Sequence, residues 1–248
     1  MPRTRYVKSA EEIARIRGVL AAPAFLDTRS LTVTFETDPE VLAEILPPPL
    51  LPAAQPRASI TISEIGRSNC VGAFDGCLVN FACSYDGKDG NYCLTMPMST
   101  DLAVIFGREL YAEPKKLAQV SLQQRPGHIR GTVTRYGIPY IEISGAFEGE
   151  PREIEPVARE SRQFYFKFFP SADGHGLAGD PQLVCVTHRG ITRRVAEGSG
   201  TITLRESPHD PVIDVPVLSV TGAVYSEGET HTSAEVLATV PADLFLPW

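Results

Sequence analysis

The segment Gly107–Lys116, which reads Gly-Arg-Glu-Leu-Tyr-Ala-Glu-Pro-Lys-Lys, holds the residues best suited to chemistry. The chain has only five lysines against 18 arginines, yet Lys115 and Lys116 are adjacent. Arginine stays charged, whereas a lysine that loses its proton attacks a carbonyl carbon and forms an imine. Adjacent lysines are also common on protein surfaces, so spacing alone leaves an exposed pair and an imine-forming site both open.

Glu113 lies two residues before Lys115. In an extended segment these two side chains point to the same side, and the side chain of Lys116 points to the other. A carboxylate beside the amine could carry protons during imine chemistry, although it also favours the charged form of a lysine. Activation would therefore need apolar walls. The candidates for those walls are Phe25, Phe81, Tyr92, Met96 and Met98.

Other catalytic or metal-binding patterns are absent from the sequence. There is no GxGxxG, Walker, GxSxG or HExxH motif, and the five cysteines lack CxxC spacing, which indicates reduced thiols rather than a zinc site or disulfide framework. The histidines are scattered without ligand spacing, and we interpret each as a surface or core residue. They are His128, His175, His188, His209 and His231.

Composition and charge exclude several classes of partner. The chain has 248 residues, of which 43% are hydrophobic and 21% charged, as in ordinary globular proteins. A net charge of −7 argues against nucleic acid and anionic membrane surfaces. No apolar stretch approaches the ~18 residues of a membrane span, and the N-terminus shows no secretory pattern. We therefore expect a cytoplasmic protein.

Alternation of apolar and polar residues predicts that strands dominate the chain. Many short period-two segments separated by Gly, Pro and Asp turns favour a large antiparallel sheet or barrel. With a few helices, this gives a single α+β domain over residues 1–248. The predicted strands are 31–36, 58–65, 72–84, 92–98, 128–135, 140–147, 163–169, 183–187, 200–204 and 215–225.

Helix signals are fewer. Ser9 and Glu12 form a potential capping box at the start of a helix over residues 9–20. Asp38 and Pro39 begin a second helix, which ends at the prolines from residue 47. Further helical candidates are 102–110, 151–161 and 233–238.

The lysine segment resembles the acetoacetate decarboxylase family. The string Gly107-Arg108-Glu109…Pro114-Lys115-Lys116 is similar to the family's Gly-Arg-Glu and Pro-Lys-Lys elements at the same spacing. Other segments agree in order over about residues 20–240. These are Thr37-Asp38 with the proline run to Leu50, Gly87 with Gly90-Asn91-Tyr92, 166–170 with 173–174, 203–204 and 215–217.

This resemblance implies an antiparallel β-barrel or cone with a few flanking helices, a homo-oligomer, and no metal or organic cofactor. Lys115 would form the imine with an oxo acid. Acetoacetate decarboxylase is the known example of a lysine activated by a neighbouring cation, here Lys116. Because the two side chains are expected to point apart, desolvation could be the larger contribution.

Several positions depart from the decarboxylase pattern. Thr61 and Gly76 stand where the family has acids, and the family's arginine falls at Thr28 or Arg29. Position 113 is apolar or aromatic in the decarboxylases, whereas this chain has Glu113. The remaining candidates for supporting or substrate-binding roles are Lys116, Arg29, Glu64, Tyr92, Tyr111 and Tyr225.

The predicted function is therefore that of a lyase that forms an imine on Lys115 with a small oxo acid. Aldolase-dehydratase chemistry, with an aldehyde co-substrate, is favoured because the lysine is retained while the acids around it are changed, as in family relatives with that activity. It needs a base to make the enamine and an acid to expel hydroxide, for which Glu113 and Tyr225 are the candidates. The alternatives are an acetoacetate decarboxylase and a non-catalytic small-molecule-binding protein on the same fold.

Overall fold

The computed structural model describes residues 4–245, and one sheet connects the strands of this part of the chain. The expectation about a secretory segment includes residues 1–3, which lie outside the described residues. The α-helices are α1 (Ala10–Ala21), α2 (Pro39–Ile45), α3 (Asp101–Tyr111) and α4 (Ala242–Phe245). The strands are β1 (Ala24–Glu36), β2 (Leu51–Pro52), β3 (Arg57–Ser68), β4 (Phe74–Tyr85), β5 (Lys88–Met98), β6 (Lys115–Leu117), β7 (Gln119–Arg125), β8 (His128–Arg135), β9 (Ile138–Phe147), β10 (Arg152–Lys167), β11 (Gln182–Leu204) and β12 (Ser219–Thr239).

Seven strands close into a ring. They follow the order β10-β5-β4-β3-β1-β12-β11, and β10 pairs with β11 as well as with β5, which joins the two ends. The β10–β5 contact is parallel, and the other ring contacts are antiparallel. The predicted class, α+β with mainly antiparallel strands and a few flanking helices, is confirmed.

A second layer covers one outer side of the ring. Strands β9, β8 and β7 continue from β11 and pack back over β1 and β3. The core between the layers includes fully buried β-branched and leucine side chains together with aromatic and cysteine side chains. Because successive side chains of a strand point to opposite faces, the residues between these apolar ones must face the interior of the ring. The apolar set includes Leu31, Val33, Ile60, Ile62, Ile141 and Ile143.

Local signals locate the helix starts correctly. Ser9 and Glu12 make both hydrogen bonds of the predicted capping box, with Ser9 N–H donating to Glu12 Oε2 over 2.6 Å. The Asp38 side chain accepts from Glu40 N–H over 2.8 Å at the start of α2. Over residues 4–245, every helix is too short or too polar to cross a membrane.

The helices expected at 151–161 and 233–238 were wrong, because both stretches lie in long strands. Most side chains of β10 before residue 162 are exposed, so the segment carries little apolar pattern, and pairing with β11 decides its conformation. The 233–238 stretch pairs with β11 in the same way. The segments 183–187 and 200–204 belong to one continuous strand, β11.

Replacing Gly131 by alanine tests the packing of the second layer on the ring. A Cβ at this buried glycine of β8 would lie 2.7 Å from Cδ1 of Ile62 on β3. Overpacking typically costs about 1–3 kcal/mol, so the melting temperature should fall by several degrees. Gly18→Ala in α1, where a Cβ meets nothing within 4 Å, is the matched control and should not lower it. Equal effects of the two changes would contradict this packing.

Candidate active site

The lysine pair follows directly on the end of α3. The helix ends at Tyr111, and the next residue, Ala112, has a φ of 60° in the left-handed region. The N–H of Glu113 then donates to the carbonyl oxygen of Gly107 over 3.2 Å. Strand β6 then begins at Lys115, which pairs in parallel with Met96 of β5. This sharp turn brings the end of a helix and the start of a strand to the edge of the ring.

Alternation along this segment separates the two lysines. Lys115 Nζ lies 2.7 Å from Glu113 Oε2, and both side chains are buried, at 6% and 8% exposure. Lys116 points the other way, where its Nζ lies 2.6 Å from Oδ1 of the fully buried Asp210. Arg135 shares that carboxylate. The ammonium group of Lys116 is therefore held by Asp210, outside the cavity that Lys115 enters.

The Lys115–Glu113 contact is close but not directional. Although the two charged atoms are 2.7 Å apart, Oε2 of Glu113 has no hydrogen bond of good geometry with any described residue. We take the contact as an electrostatic pair whose hydrogen-bonding capacity is not fully used. A buried polar atom without a hydrogen bond typically costs about 1–3 kcal/mol, so a ligand that supplies one would gain affinity.

Gly107 makes this arrangement possible. A Cβ on Gly107 would lie 2.0 Å from Glu113 Oε2 and 2.5 Å from Lys115 Nζ. The backbone of α3 therefore covers the ion pair directly, and Arg108 adds a hydrogen bond from its side chain to the carbonyl oxygen of Lys115. These contacts give physical roles to the glycine and arginine of the Gly-Arg-Glu string.

Lys115 and Glu113 face a cavity of about 350 Å³ inside the ring. Each of the seven ring strands contributes at least one lining residue, so the cavity is the interior of the ring. The lining residues are Phe25, Thr28, Ser30, Thr61, Ser63, Ile65, Phe74, Gly76, Leu78, Asn80, Asn91, Met96, Met98, Glu113, Lys115, Ser161, Gln163, His188 and Thr230.

The structure does not bring Arg29, Glu64 or Tyr225 to this cavity. Arg29 pairs with Glu64 over 2.9 Å on the opposite face of the ring wall, and the Tyr225 hydroxyl donates to Glu227 over 2.9 Å. A bulge in β1, next to Asp27 with its φ of 53°, sets the alternation so that Thr28 faces inward and Arg29 outward. Our interpretation of these three side chains as parts of the Lys115 site therefore needs correction.

The two other predicted tyrosines also lie outside the cavity. Tyr92 lines a second cavity of about 420 Å³, which shares Glu113 with the first, and burial raises the pKa of Tyr92 to about 12. Tyr111 is buried edge-to-face against Phe106, and burial raises its pKa to about 12. Of the expected apolar walls, Phe25, Met96 and Met98 line the site, whereas Phe81 and Tyr92 do not.

Thr61 and Gly76, the positions that depart from the family pattern, both line the cavity. Met98 occupies the space that a side chain at position 76 would need, since a Cβ there would lie 2.8 Å from its Sδ. Thr61 shares a hydrogen bond of 2.9 Å with Thr32. Glu113 is consequently the one carboxylate among the described lining residues.

Sequence reasoning missed several polar residues of the cavity, chiefly Asn80, Gln163 and His188. A ring nitrogen of His188, Nδ1, lies 3.1 Å from the Thr232 hydroxyl. Burial lowers the pKa of His188, with a smaller opposing effect of Glu113, so the ring is neutral near pH 7. The signal in the sequence that could have identified these residues is their place among the polar positions of alternating strands. Such positions ordinarily indicate a face that points to solvent, so the pattern alone does not assign them to a site.

The described chain shows no group of three or more His, Cys, Asp or Glu side chains placed to hold a metal ion. All five cysteines are free thiols in this structure. The site thus combines a buried lysine, a carboxylate, a neutral histidine and uncharged polar groups with apolar walls.

A closed ring of strands around a buried lysine–carboxylate pair defines an α+β protein with an enclosed, partly polar cavity. The chain belongs to the acetoacetate decarboxylase family, whose model matches residues 6–239. A curated relative from Burkholderia multivorans, an acetoacetate decarboxylase, is 31% identical over 205 residues, which cover 80% of this chain and 81% of the relative.

Solved structures agree on the fold. An acetoacetate decarboxylase from Legionella pneumophila aligns with a TM-score of 0.79 at 17% identity, covering 96% of this chain and 93% of that one. The enduracididine biosynthesis enzyme MppR, solved in complex with pyruvate, aligns with a TM-score of 0.74 at 18% identity, covering 88% and 90%.

Replacing Gly107 by alanine tests whether its close approach positions the ion pair. The added Cβ would overlap both Glu113 Oε2 and Lys115 Nζ and force them apart. Misplacement of reacting groups by about 1 Å can cost roughly 100-fold in rate, so reaction at Lys115 should slow by about that factor. Reductive trapping of an oxo acid on Lys115 measures the rate, with Gly18→Ala as the control. An unchanged rate in a folded Gly107→Ala protein would contradict this role.

Acid stability tests the burial of His188. Its lowered pKa in the folded state means that the unfolded chain binds more protons below the ordinary value of 6.5. The free energy of unfolding should therefore fall as pH drops below 6.5, by at most ~1.4 kcal/mol per pH unit from this residue. Urea unfolding at a series of pH values should show a shallower fall for His188→Gln. Identical slopes would contradict a lowered pKa of His188 in the folded state.

Proposed function

We propose that the chain is an enzyme in which Lys115 forms an imine with a small oxo acid bound inside the ring. The observation that carries this is the 2.7 Å contact between Lys115 Nζ and Glu113 Oε2 at the wall of the cavity. Lys115 is also the one lysine or arginine among the described residues that line it. Its nitrogen therefore has a proton acceptor beside it and a space for a carbonyl compound in front.

The proton balance of imine formation fits this pair. The ammonium group of Lys115 gives a proton to the carboxylate of Glu113, and the free amine then attacks the carbonyl carbon of the oxo acid. The alkoxide formed takes up a proton from the nitrogen. Glu113 then donates its proton to the departing hydroxyl, which leaves as water. The product is a cationic imine, which accepts the electron pair of a neighbouring bond when that bond breaks.

Aldolase-dehydratase chemistry is the lyase reaction that we favour. It needs a base to remove a proton from the carbon next to the imine and an acid to expel hydroxide after addition to an aldehyde. Glu113 supplies a carboxylate next to the reacting nitrogen, in a cavity where Thr61 and Gly76 leave the other walls without acids. The similar fold of MppR, solved with pyruvate, supports a 2-oxo acid as the first substrate.

Decarboxylation of a 3-oxo acid is the second candidate. The curated relatives at about 30% identity are acetoacetate decarboxylases. Loss of carbon dioxide from an imine needs the electron sink but no proton removal from carbon. Apart from Lys115, the described lining residues offer no cation to stabilise a substrate carboxylate in its bound state. A bound substrate carboxylate would therefore not be stabilised against its loss as carbon dioxide, so the cavity is compatible with decarboxylation as well.

We further propose that the covalent imine on Lys115 takes the place of a metal or organic cofactor. Homo-oligomeric assembly and the cytoplasmic location stay predictions. A binding protein on the same fold, without chemistry, is the third possibility, and it is distinguished by a Lys115 that forms no adduct.

Reductive trapping tests the shared step. With cyanoborohydride and either pyruvate or acetoacetate, mass mapping should find the added mass on the peptide that contains Lys115. Lys115→Ala should lose the adduct, whereas the exposed Lys88→Arg should keep it. Glu113→Gln should slow trapping by about 10²–10⁴-fold, the usual contribution of a general acid–base, and Glu109→Gln, an exposed acid in α3, should not.

The outcomes separate the candidates. If no oxo acid gives an adduct on Lys115, imine catalysis is wrong and a binding role is favoured. Release of carbon dioxide from acetoacetate that disappears in Lys115→Ala would replace aldolase-dehydratase chemistry by decarboxylation. Loss of hydroxide from a pyruvate–aldehyde addition product, followed spectroscopically, would support the favoured reaction.

A further inference from the structure

The cavity has more hydrogen-bonding capacity than imine chemistry on a small oxo acid uses. Besides Lys115, Glu113 and His188, its polar lining consists of hydroxyl and amide side chains contributed by strands all around the ring. Some of these groups satisfy one another, as Ser30 and Ser63 do over 2.7 Å. Other polar lining groups have no hydrogen-bond partner within the described chain, and we base the inference on these unpartnered groups.

Asn80 is the strongest case. Its side chain lines the cavity and the residue is only 8% exposed, yet its Oδ1 has no hydrogen-bond partner among the described residues. An amide carries an acceptor, here Oδ1, and a donor, here Nδ2, and the acceptor of Asn80 is left without a partner in the described chain. A hydroxyl group can satisfy both, because it donates and accepts. A carboxylate or phosphate oxygen that only accepts would leave Oδ1 without a partner.

Two neighbours extend the same chemistry. The Oε1 of the buried Gln163 accepts from the Tyr165 hydroxyl, which fixes the amide and leaves its Nε2 as a donor at the cavity wall. The Nδ1 of His188 is engaged with Thr232, which leaves Nε2 of a lining ring without a partner in the described chain. Asn80, Gln163 and His188 together form a neutral set of donors and acceptors, which we call the polar wall.

Charge narrows the class of ligand further. Lys115 is the one cationic side chain in the described lining, and its charge is opposed by Glu113 at 2.7 Å. A second anionic group on the substrate would therefore meet the polar wall without a counter-charge, which is unfavourable in a buried site. Hydroxyl groups need no counter-charge.

We propose that the oxo acid substrate carries a hydroxylated carbon chain, whose hydroxyl groups bind the polar wall while its carbonyl carbon reacts at Lys115. This inference rests on the proposed imine function and adds its substrate class. The buried amide of Asn80 is the specificity-determining group, because a site built to bind a hydroxyl disfavours the analogue that lacks it.

A matched pair of compounds provides the test. Reductive trapping on Lys115 is measured with 2-oxopentanoate and with 4,5-dihydroxy-2-oxopentanoate, which share chain length and reacting group. The dihydroxy compound should reach half-maximal trapping at a concentration at least about tenfold lower, as expected for one or two well-made buried hydrogen bonds. Equal half-maximal concentrations for the two compounds, or a lower one for the deoxy compound, would overturn the substrate class while leaving the imine function intact.

Amino-acid substitutions test which residues produce the preference for the dihydroxy compound. Asn80→Leu, similar in shape but apolar, should reduce the preference for the dihydroxy compound by about tenfold, and Gln163→Met should reduce it in the same direction. Thr95→Val is the control, since the Thr95 hydroxyl is equally buried and unpartnered but lies outside the lining. The ratio of the two compounds within one variant does not depend on how much of the protein is folded. A ratio unchanged in both Asn80→Leu and Gln163→Met would overturn the assignment, and absence of any adduct would overturn the imine function itself.

Discussion

The buried contact between Lys115 and Glu113 is the constraint that organises this end of the molecule. Two charges removed from water are costly unless each faces the other, so each of these side chains lowers the cost of burying its partner. Their closeness requires a backbone without a Cβ above them, which Gly107 provides, and a sharp reversal after α3, for which Ala112 adopts a left-handed conformation. Pairing of β6 with β5 then fixes Lys115 at the cavity wall.

Closure of the ring gives a wall strand under the second layer, such as β1, two enclosed faces of different character. Along β1, Leu31 and Val33 are fully buried between the layers, whereas Thr28 and Ser30 line the internal cavity. An open sheet with one polar face would turn that face to water. Here the pairing of β10 with both β5 and β11 encloses the polar face, so ordinary alternation produces an internal polar site.

The difference between features set by neighbouring residues and features set by closure of the ring explains what the sequence alone predicted. The caps at Ser9 and Asp38, and the opposite directions of Lys115 and Lys116, depend on a few neighbouring residues, and local rules suffice for them. The placement of Arg29 depends on a bulge in β1, which nothing in the local pattern announces. Asn80, Gln163 and His188 come from three strands distant in sequence, and only ring closure brings them together.

The position of the acid relative to the nucleophile bears on the chemistry of the site. With Met98 filling the space at Gly76 and Thr61 engaged by Thr32, the cavity walls facing the substrate are neutral, and the carboxylate lies against the reacting nitrogen instead. An acid in the far wall would act on a bound substrate's own charge, whereas Glu113 is placed 2.7 Å from the Lys115 nitrogen, in reach of protons on that nitrogen and on the atoms next to it. Bond cleavage that needs only an electron sink makes little use of such a group, but addition and elimination need a proton carrier at this place. The placement of Glu113 is therefore the physical reason to favour aldolase-dehydratase chemistry for this chain.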